Sequence, residues 1–579
     1  MRTLITAAVT GLALASAVVR ADWIEQSDRY AMEVMEALGS FQPETIGNYG
    51  LSEFDDEILD LGPGIFERQQ EVRRGNIKRL EAALEKEKDP RVRQDLQIML
   101  EDQSDDLKSA ELSREYMLSY FNIHAVLFSS FNSLLDPRND DARYPAALER
   151  LAKYVGEADG FEPVTELAKA RSSERFEREG LIGPYSAQLE TDLGNAPRYV
   201  AGIKSLFERA ELTGWEDNFA LLEQQLADYE QWVRDEIVPR ARENNQLPEA
   251  IYADNLRNYG VKASPEELIA QAQYSYQLLR SEMKALAVQI ADKRGWEDAE
   301  LVSVIRKLKQ EQIAPEDVLK TYQDRLAVLE EIIVREDIIT LPERDAVIRL
   351  ATEAESAAIP ASFMSPPQLI NNTGQYGEFV LVQKNPGLEG DEAVMDDWSH
   401  DAIVWPLTVH EARPGHELQF ASLVENGTSL ARAVFAFNSA NAEGWGLYAE
   451  SIMHEFLPLE GQLFNLYSRL MRAARMFLDP MVNTGQMTHE GARDFLVEQM
   501  ALSLPMASSE ADRYAFWAPG QATSYYYGYT NLMRLRTEVE IAMGDQFNQR
   551  EFHDFVLEQG LLPPDLLRAA VLEKFVRAE

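Results

Sequence analysis

In the first half of the chain, apolar positions recur three and four residues apart on a charged background. The pattern runs through "RRGNIKRLEAALEKEKDPRVRQDLQIMLEDQSDDLKSAELSREYMLSYF" (residues 73–121) and gives a helix one apolar face. A later helix has a marked start, with Ser264 as cap, Pro265 in the first turn and Glu267 three residues after the cap. We predict a helical N-terminal lobe over residues 22–335.

The pattern changes near residue 340. "DAVIRLAT" (345–352) and "GEFVLVQKN" (377–385) are short, apolar and rich in β-branched residues, which is typical of strands. A proline-rich segment separates them, so we predict two antiparallel strands joined by a long loop. After Asp396 the pattern is helical to the end. The expected fold is therefore mostly α with one small antiparallel sheet, and residues 336–579 form a second lobe continuous with the first.

Charge narrows the possible partners. The 579 residues include 97 Asp and Glu against 56 Lys and Arg, a formal net charge of -41. This balance argues against nucleic acid and anionic membranes, because both bind basic surfaces. A solvated surface suited to a salty or extracellular medium is the favoured explanation, and attraction of cationic substrates is the alternative.

Residues 1–21 resemble a secretory signal peptide. A basic second residue precedes the apolar stretch from Leu4 to Val19, and residues 19–21 offer small-residue cleavage positions. The stretch is short for a membrane span, although an uncleaved anchor is the alternative. The sequence contains no cysteine, so no lipid can be attached through one. We expect a periplasmic or secreted protein with no stable membrane anchor after signal removal.

The segment "TVHEARPGHELQ" (408–419) holds two of the seven histidines of the chain. The usual zinc-peptidase pattern places two histidines four residues apart on one helical face. Here His416 follows His410 by six residues, roughly 240° around a regular helix. Pro414 removes a backbone donor and clashes with the preceding turn, while Gly415 permits a sharp bend. We predict a helix break that brings the two imidazoles together.

A catalytic zinc site needs a third protein ligand. Glu443 lies on the next amphipathic helix, in "NSANAEGWGLYAESIMHEF", with Glu450 on the same face. A carboxylate from that helix would complete a His-His-Glu site, and Glu411 would be the general base for the attacking water. The alternative is a helix end at which the histidines cap carbonyl groups.

Three segments, "HEARPGHELQ", "EGWGLYAE" and "PGQATSYYYG", are similar to the motif series of a bacterial family known as domain of unknown function 885. The resemblance runs from about residue 40 to about residue 575. It implies a large helical bundle with a deep cleft and a gluzincin-like site in the lobe 336–579. It also implies zinc as cofactor, with His410, His416 and Glu443 as ligands and Glu411 as base and proton shuttle.

The sequence departs from the family pattern after "RAARMFLD". Asn483 stands where the family usually has a histidine, and Met487 where it usually has a tryptophan. No expected zinc ligand is affected. If the family histidine contacts substrate or the oxyanion, the change would alter specificity or rate, so Asn483 is a candidate substrate-binding residue.

Tyrosine and arginine side chains supply further candidates. Tyr525 matches a family tyrosine, and its hydroxyl could stabilise the oxyanion; core packing is the alternative. Arg534 and Arg536 on one helix, and Arg472 and Arg475 on another, could bind the C-terminal carboxylate of a substrate. We take Arg534 and Arg475 as the candidates, with pairing to structural acids as the alternative.

These observations predict an exported zinc metallopeptidase that hydrolyses short or unfolded peptides as a carboxypeptidase or dipeptidase. The strand "EFVLVQKN" (378–385) is expected to be an edge strand that could bind an extended peptide through its backbone; a purely structural hairpin is the alternative. One rival function is a zinc hydrolase of another amide or ester. The other is a non-catalytic peptide-binding protein with a structural zinc, against which Glu411 weighs because such a site needs no base.

Overall fold

Amphipathic helices form most of the chain, as the apolar spacing predicts. A computed structural model of the protein describes residues 23–359, 361–383 and 396–576. The expected signal peptide and the last two residues of the segment 377–385 lie outside the described residues. Within the described part of the chain, no helix combines the length and apolar character needed to cross a membrane. The mostly α fold class is confirmed.

The predicted cap at Ser264 is confirmed. Its side chain accepts a hydrogen bond from the backbone of Glu267, whose carboxylate accepts one from the backbone N–H of Ser264. The helices of the first part of the chain are α1 (23–39), α2 (Pro43–Tyr49), α3 (Ile65–Leu84), α4 (Pro90–Tyr116), α5 (Ile123–Leu134), α6 (Ala146–Val155), α7 (Val164–Ser173), α8 (Ser186–Arg209), α9 (Glu216–Trp232), α10 (Glu249–Asn258), α11 (Pro265–Arg294), α12 (Leu301–Lys309) and α13 (Pro315–Arg335).

The remaining helices surround the predicted metal segment. They are α14 (Glu353–Ala358), α15 (Asp401–Glu411), α16 (His416–Ser422), α17 (Ser439–Met453), α18 (Leu459–Asn483), α19 (His489–Met500), α20 (Leu504–Asp512), α21 (Ser524–Met543), α22 (Gln549–Glu558) and α23 (Pro564–Phe575). Helix α18 packs against both α11 and α15, and α17 packs against α15 and α21. The candidate site residues are therefore carried by mutually packed helices.

Two large hydrophobic cores hold these helices together. One core joins α5 to α9 with two alanines of α14. The larger core joins α10 to α13 with the sheet and the helices from α15 onward. The predicted boundary at residue 335 falls inside this larger core, because α11 packs along α18.

The small sheet differs from the prediction of two antiparallel strands. It contains β1 (Val347–Leu350), β2 (Phe363–Ser365) and β3 (Glu378–Leu381) in the order β1-β3-β2. The two predicted strands, β1 and β3, pair in parallel, and β2 pairs with β3 in the antiparallel sense. A parallel pair needs a crossover connection, and the segment between them provides it with α14. The capping box of Thr352 and Glu355 at the start of α14 is the signal that could have indicated this helix.

Candidate metal centre and cleft

The helix carrying the first histidine ends where the sequence predicts a break. Helix α15 stops at Glu411, and α16 begins at His416. The carbonyl oxygen of His410 would lie only 1.9 Å from a Cβ atom at Gly415. Any other residue at that position would collide with backbone that cannot move far, so glycine is required for the chain to turn back on itself.

Buried contacts fix the shape of this break. Arg413 donates from Nε to Glu417 at 2.7 Å and from Nη1 to Glu330 at 2.6 Å. The indole N–H of Trp445 donates to the carbonyl oxygen of Pro414 at 2.9 Å. Because partners from three elements hold the turn, the direction of His416 is determined by packing.

The break brings His410, His416 and Glu443 to one point. Their potential ligand atoms all lie within 4.8 Å of one another. Glu443 Oε2 is 3.5 Å from Nε2 of His410 and 3.3 Å from Nε2 of His416. Ligands at zinc bond lengths of roughly 2.0–2.1 Å in a tetrahedron are about 3.3 Å apart, so the two distances from Glu443 and the N, N, O donor set suit a zinc ion, whereas the widest separation of the cluster, up to 4.8 Å, would have to shorten around it.

Outer hydrogen bonds orient the first imidazole. Nδ1 of His410 lies 2.7 Å from Oε1 of Glu450, and Ser468 donates to the same oxygen at 3.0 Å. Burial lowers the pKa of His410, but hydrogen bonds to Glu443 and Glu450 outweigh burial and raise it to about 9. The carboxylates thus favour positive charge at the cluster, and a Nδ1–H held by Glu450 would leave Nε2 to face a metal.

The second imidazole is oriented by a polar pair. Nδ1 of His416 lies 3.4 Å from Oε1 of Gln419, whose amide nitrogen donates to Asn441 at 3.1 Å. Asn441 belongs to α17, the helix of Glu443. The candidate ligands on α16 and α17 are therefore linked by side chains outside the cluster itself.

Glycines allow the helices of the cluster to approach closely. A Cβ atom on Gly446 would lie 2.7 Å from Cε1 of His410, and one on Gly528 would lie 1.8 Å from the carbonyl oxygen of Ala440. Gly446 thus gives the His410 ring its space on α17. Gly528 lets α21, which carries Tyr525, touch the backbone of α17.

The cluster opens on a cavity of about 840 Å³. His410, Glu411, His416, Glu443 and Tyr525 all line it. Residues of α5 and residues 361–369, which include β2, also line this cavity. The predicted edge strand 378–385 is wrong as an edge, because β3 is the central strand of the sheet; β2 is the edge strand that faces the cleft.

Two lining residues have the properties expected of reacting groups. Burial raises the pKa of Glu411, and its carboxylate makes no hydrogen bond within the described part of the chain. Tyr525 accepts a hydrogen bond from Nη1 of Arg513 at 3.2 Å, which leaves its own proton free to be donated. Burial also raises the pKa of Tyr525, as does the charge of Glu443, so the phenol stays protonated near neutral pH.

The predicted substrate-binding residues are placed differently. Arg534 is exposed on α21 and is not among the cleft-lining residues. Arg475 lines the cleft but forms two hydrogen bonds of 2.7 and 2.6 Å to buried Glu510. Asn483 is buried outside the cleft wall and donates to Asp479 and to the Tyr514 carbonyl oxygen. The alternative of pairing with a structural acid therefore describes Arg475, and neither Arg534 nor Asn483 is among the residues that line the cleft.

Sequence reasoning placed Glu450 on the face of Glu443 without giving it a role, and it missed Ser468 and Arg513. None of the three has a motif of its own. The spacing of Glu450, seven residues after Glu443 on one helical face, was the only available signal that it faces the same centre.

The fold and the site together define the class of this protein: a helical protein that carries a His-His-Glu cluster in a deep cleft. The chain belongs to the family described as bacterial protein of unknown function (DUF885), whose model matches residues 43–571. No curated protein matches the sequence.

Two solved structures share the fold, each described as a putative lipoprotein. The protein from Shewanella oneidensis has a TM-score of 0.70 and 17% identity over 94% of this chain and 99% of its own. The protein from Colwellia psychrerythraea has a TM-score of 0.74 and 17% identity over 96% of this chain and 99% of its own. At 17% identity, the similarity to these two structures shows a shared fold alone.

Proposed function

We propose that the protein is a zinc-dependent peptidase that hydrolyses short or unfolded peptides. The observation that carries the proposal is that the His410, His416 and Glu443 cluster shares one cleft with Glu411, which is buried and unpaired among the residues that the structure describes. The separations of 3.3 and 3.5 Å within the cluster exceed the 2.7 Å between His410 and Glu450. The two longer separations suit ligands arranged around an ion, whereas the 2.7 Å contact between His410 and Glu450 is an ordinary hydrogen bond.

The protein residues supply proton transfer and charge stabilisation. When bound, a zinc ion supplies Lewis acidity and lowers the pKa of a water from 15.7 to about 7. Glu411 accepts the proton of the attacking water and then donates it to the leaving amine, a role favoured by the burial that raises the pKa of this carboxyl group. The hydroxyl of Tyr525 donates a hydrogen bond to the developing oxyanion.

The cleft also provides a means of holding an extended chain. Strand β2 uses one edge for β3 and lines the cavity. A peptide could bind beside β2 through backbone hydrogen bonds, with side chains entering the cavity on alternate sides. A cavity of about 840 Å³ accommodates a few residues and excludes a folded protein.

The test is digestion of a mixed peptide library by metal-quantified protein, read by mass spectrometry. We expect cleavage by the zinc-loaded enzyme and about one zinc per chain. Glu411→Gln should retain zinc and lose at least about 10²-fold in kcat. Glu455→Gln is the matched control, because it changes the other His-Glu pair of the chain on an exposed side chain. Failure of the zinc-loaded wild type to cleave any peptide would overturn the proposal, and full turnover by Glu411→Gln would remove its mechanism.

We also propose that the protein is exported. The sequence of residues 1–21 supports this, and the two similar structures are described as putative lipoproteins, a class of exported proteins. This chain has no cysteine to carry a lipid. Fractionation should place the protein in the periplasm or medium with Asp22 as its first residue, whereas an intact Met1 terminus in the cytoplasm would contradict export.

A further inference from the structure

Three guanidinium groups meet at the cleft wall beside the candidate metal centre. Arg472, Arg475 and Arg513 all line the cavity. Cζ of Arg475 lies 4.6 Å and Cζ of Arg472 lies 5.8 Å from the ring centre of Tyr525. Arg513 donates to the hydroxyl of the same tyrosine at 3.2 Å. Tyr525 is therefore the common neighbour of all three positive charges.

These three groups share one directly paired carboxylate. Arg475 takes both oxygens of Glu510 at 2.7 and 2.6 Å. Nη2 of Arg513 is 3.7 Å from Glu510, beyond hydrogen-bond length. Within the described chain, Arg472 lies in no ion pair, and its buried Nε has no hydrogen-bond partner. An external anion cannot reach that buried Nε, but Arg472 lines the cavity, and a buried guanidinium without a directly paired carboxylate is costly, so an anion in the cleft would complete its pairing.

The charge balance of the cleft supports the same reading. Four carboxylates surround the cluster and its neighbouring wall, against three guanidinium groups. A divalent ion at the cluster would then leave one positive charge in excess, which a monoanionic group would neutralise. The carboxylates are those of Glu411, Glu443, Glu450 and Glu510, and the guanidinium groups are those of Arg472, Arg475 and Arg513.

A hydrogen-bond chain fixes the position of this charge relative to the first histidine. Arg472 donates to the hydroxyl of Ser468 at 2.7 Å, and Ser468 donates to Glu450 at 3.0 Å. Glu450 in turn holds Nδ1 of His410 at 2.7 Å. An anion bound by Arg472 is thus held at a set distance from the proposed reaction centre.

We propose that Arg472 and Arg513 bind the C-terminal carboxylate of the peptide, so that the protein removes residues from the carboxyl end of its substrates. This inference rests on the proposed peptidase function and names the substrate class within it. The planar fork of a guanidinium group matches a carboxylate with two parallel hydrogen bonds. A free peptide terminus is a monoanion able to enter the same cleft as Glu411.

The test compares one peptide with a free carboxyl terminus and the same peptide amidated, using the zinc-loaded protein. We expect release of C-terminal residues from the acid and a kcat/KM about 10²-fold lower for the amide, as for loss of hydrogen bonds to a charged group. Arg513→Met and Arg472→Met should reduce this ratio towards one. Arg568→Met is the matched control, because this side chain is 54% exposed and pairs with Glu538 at the surface.

Peptide binding to zinc-loaded Glu411→Gln, measured by calorimetry, tests the carboxylate subsite separately from the peptidase activity. Binding of the acid but not the amide, lost in Arg513→Met, would support the carboxylate subsite even if the wild type cleaved neither peptide. Equal cleavage of acid and amide at internal bonds would overturn the subsite and leave the peptidase function standing. The wild-type comparison needs no variant, so misfolding of an arginine mutant cannot mask the result.

Discussion

Replacement of Gly446 by alanine tests whether the cluster holds a metal with the geometry described. The new Cβ would lie 2.7 Å from Cε1 and 3.0 Å from Nε2 of His410, whereas ordinary contacts begin at 3.4 Å. The imidazole must therefore shift by about 0.7 Å, yet metal-ligand distances tolerate only about 0.2 Å. His410 is 1% exposed and pinned by Glu450, so the ring has little room to adjust.

We expect Gly446→Ala to lower zinc affinity by about 10- to 100-fold, or about 1.4–2.8 kcal/mol. The fold should survive, because alanine raises helix propensity by up to about 1 kcal/mol. Gly194→Ala in α8 is the matched control, since nothing lies within 4 Å of its added Cβ. Competition with a chromophoric chelator measures affinity, and thermal unfolding of the metal-free proteins measures stability. Wild-type zinc affinity in folded Gly446→Ala would refute the reasoning.

Three further perturbations address neighbouring groups. Tyr525→Phe should leave zinc binding and KM unchanged but lower kcat by about 10²–10³-fold. Tyr527→Phe is the control and should keep the full rate, because Tyr527 is half-buried and outside the cleft. Equal rates for the two variants would contradict the oxyanion role of Tyr525. Glu450→Gln should weaken zinc binding by about 10-fold, and unchanged affinity in the chelator assay would remove its orienting role. Burial raises the pKa of Glu510, but the charge of Arg475 outweighs burial and lowers this pKa to about 2. The stabilisation from the Glu510 carboxylate is therefore complete above about pH 4.3 and is lost as the pH falls towards 2. The free energy of unfolding should fall by about 3 kcal/mol over this range. Urea unfolding at a series of pH values should show a shallower acid dependence for Glu510→Gln, and parallel curves would disprove this.

Local sequence rules predicted the parts of the site that depend on local backbone. The Pro414-Gly415 break follows from a missing donor and a missing side chain, so the convergence of His410 and His416 could be inferred from spacing. Glu443 was identified from its face of the following helix together with the family motif. The capping box at Ser264 likewise needs only neighbouring residues.

The features that the sequence did not predict are pairings between distant segments. The spacing of Arg534 and Arg475 resembles that of any helical arginine, and only the packed structure shows one exposed and the other paired with Glu510. Asn483 was assigned to substrate because a family histidine usually stands there, yet its amide is used by Asp479. Strand direction was similarly undetermined, because periodicity of two fixes faces and not partners.

The close approach of Gly528 on α21 to the backbone of α17, where Gly444 also faces it, has a consequence for how the cleft can change its width. With no side chains between them, α17 and α21 form a single rigid wedge that carries both a candidate metal ligand and the tyrosine donor. Substrate entry cannot separate those two groups without breaking backbone packing. The separation between Glu443 on α17 and Tyr525 on α21 is therefore set by backbone packing, and any change in the width of the cleft should leave it constant.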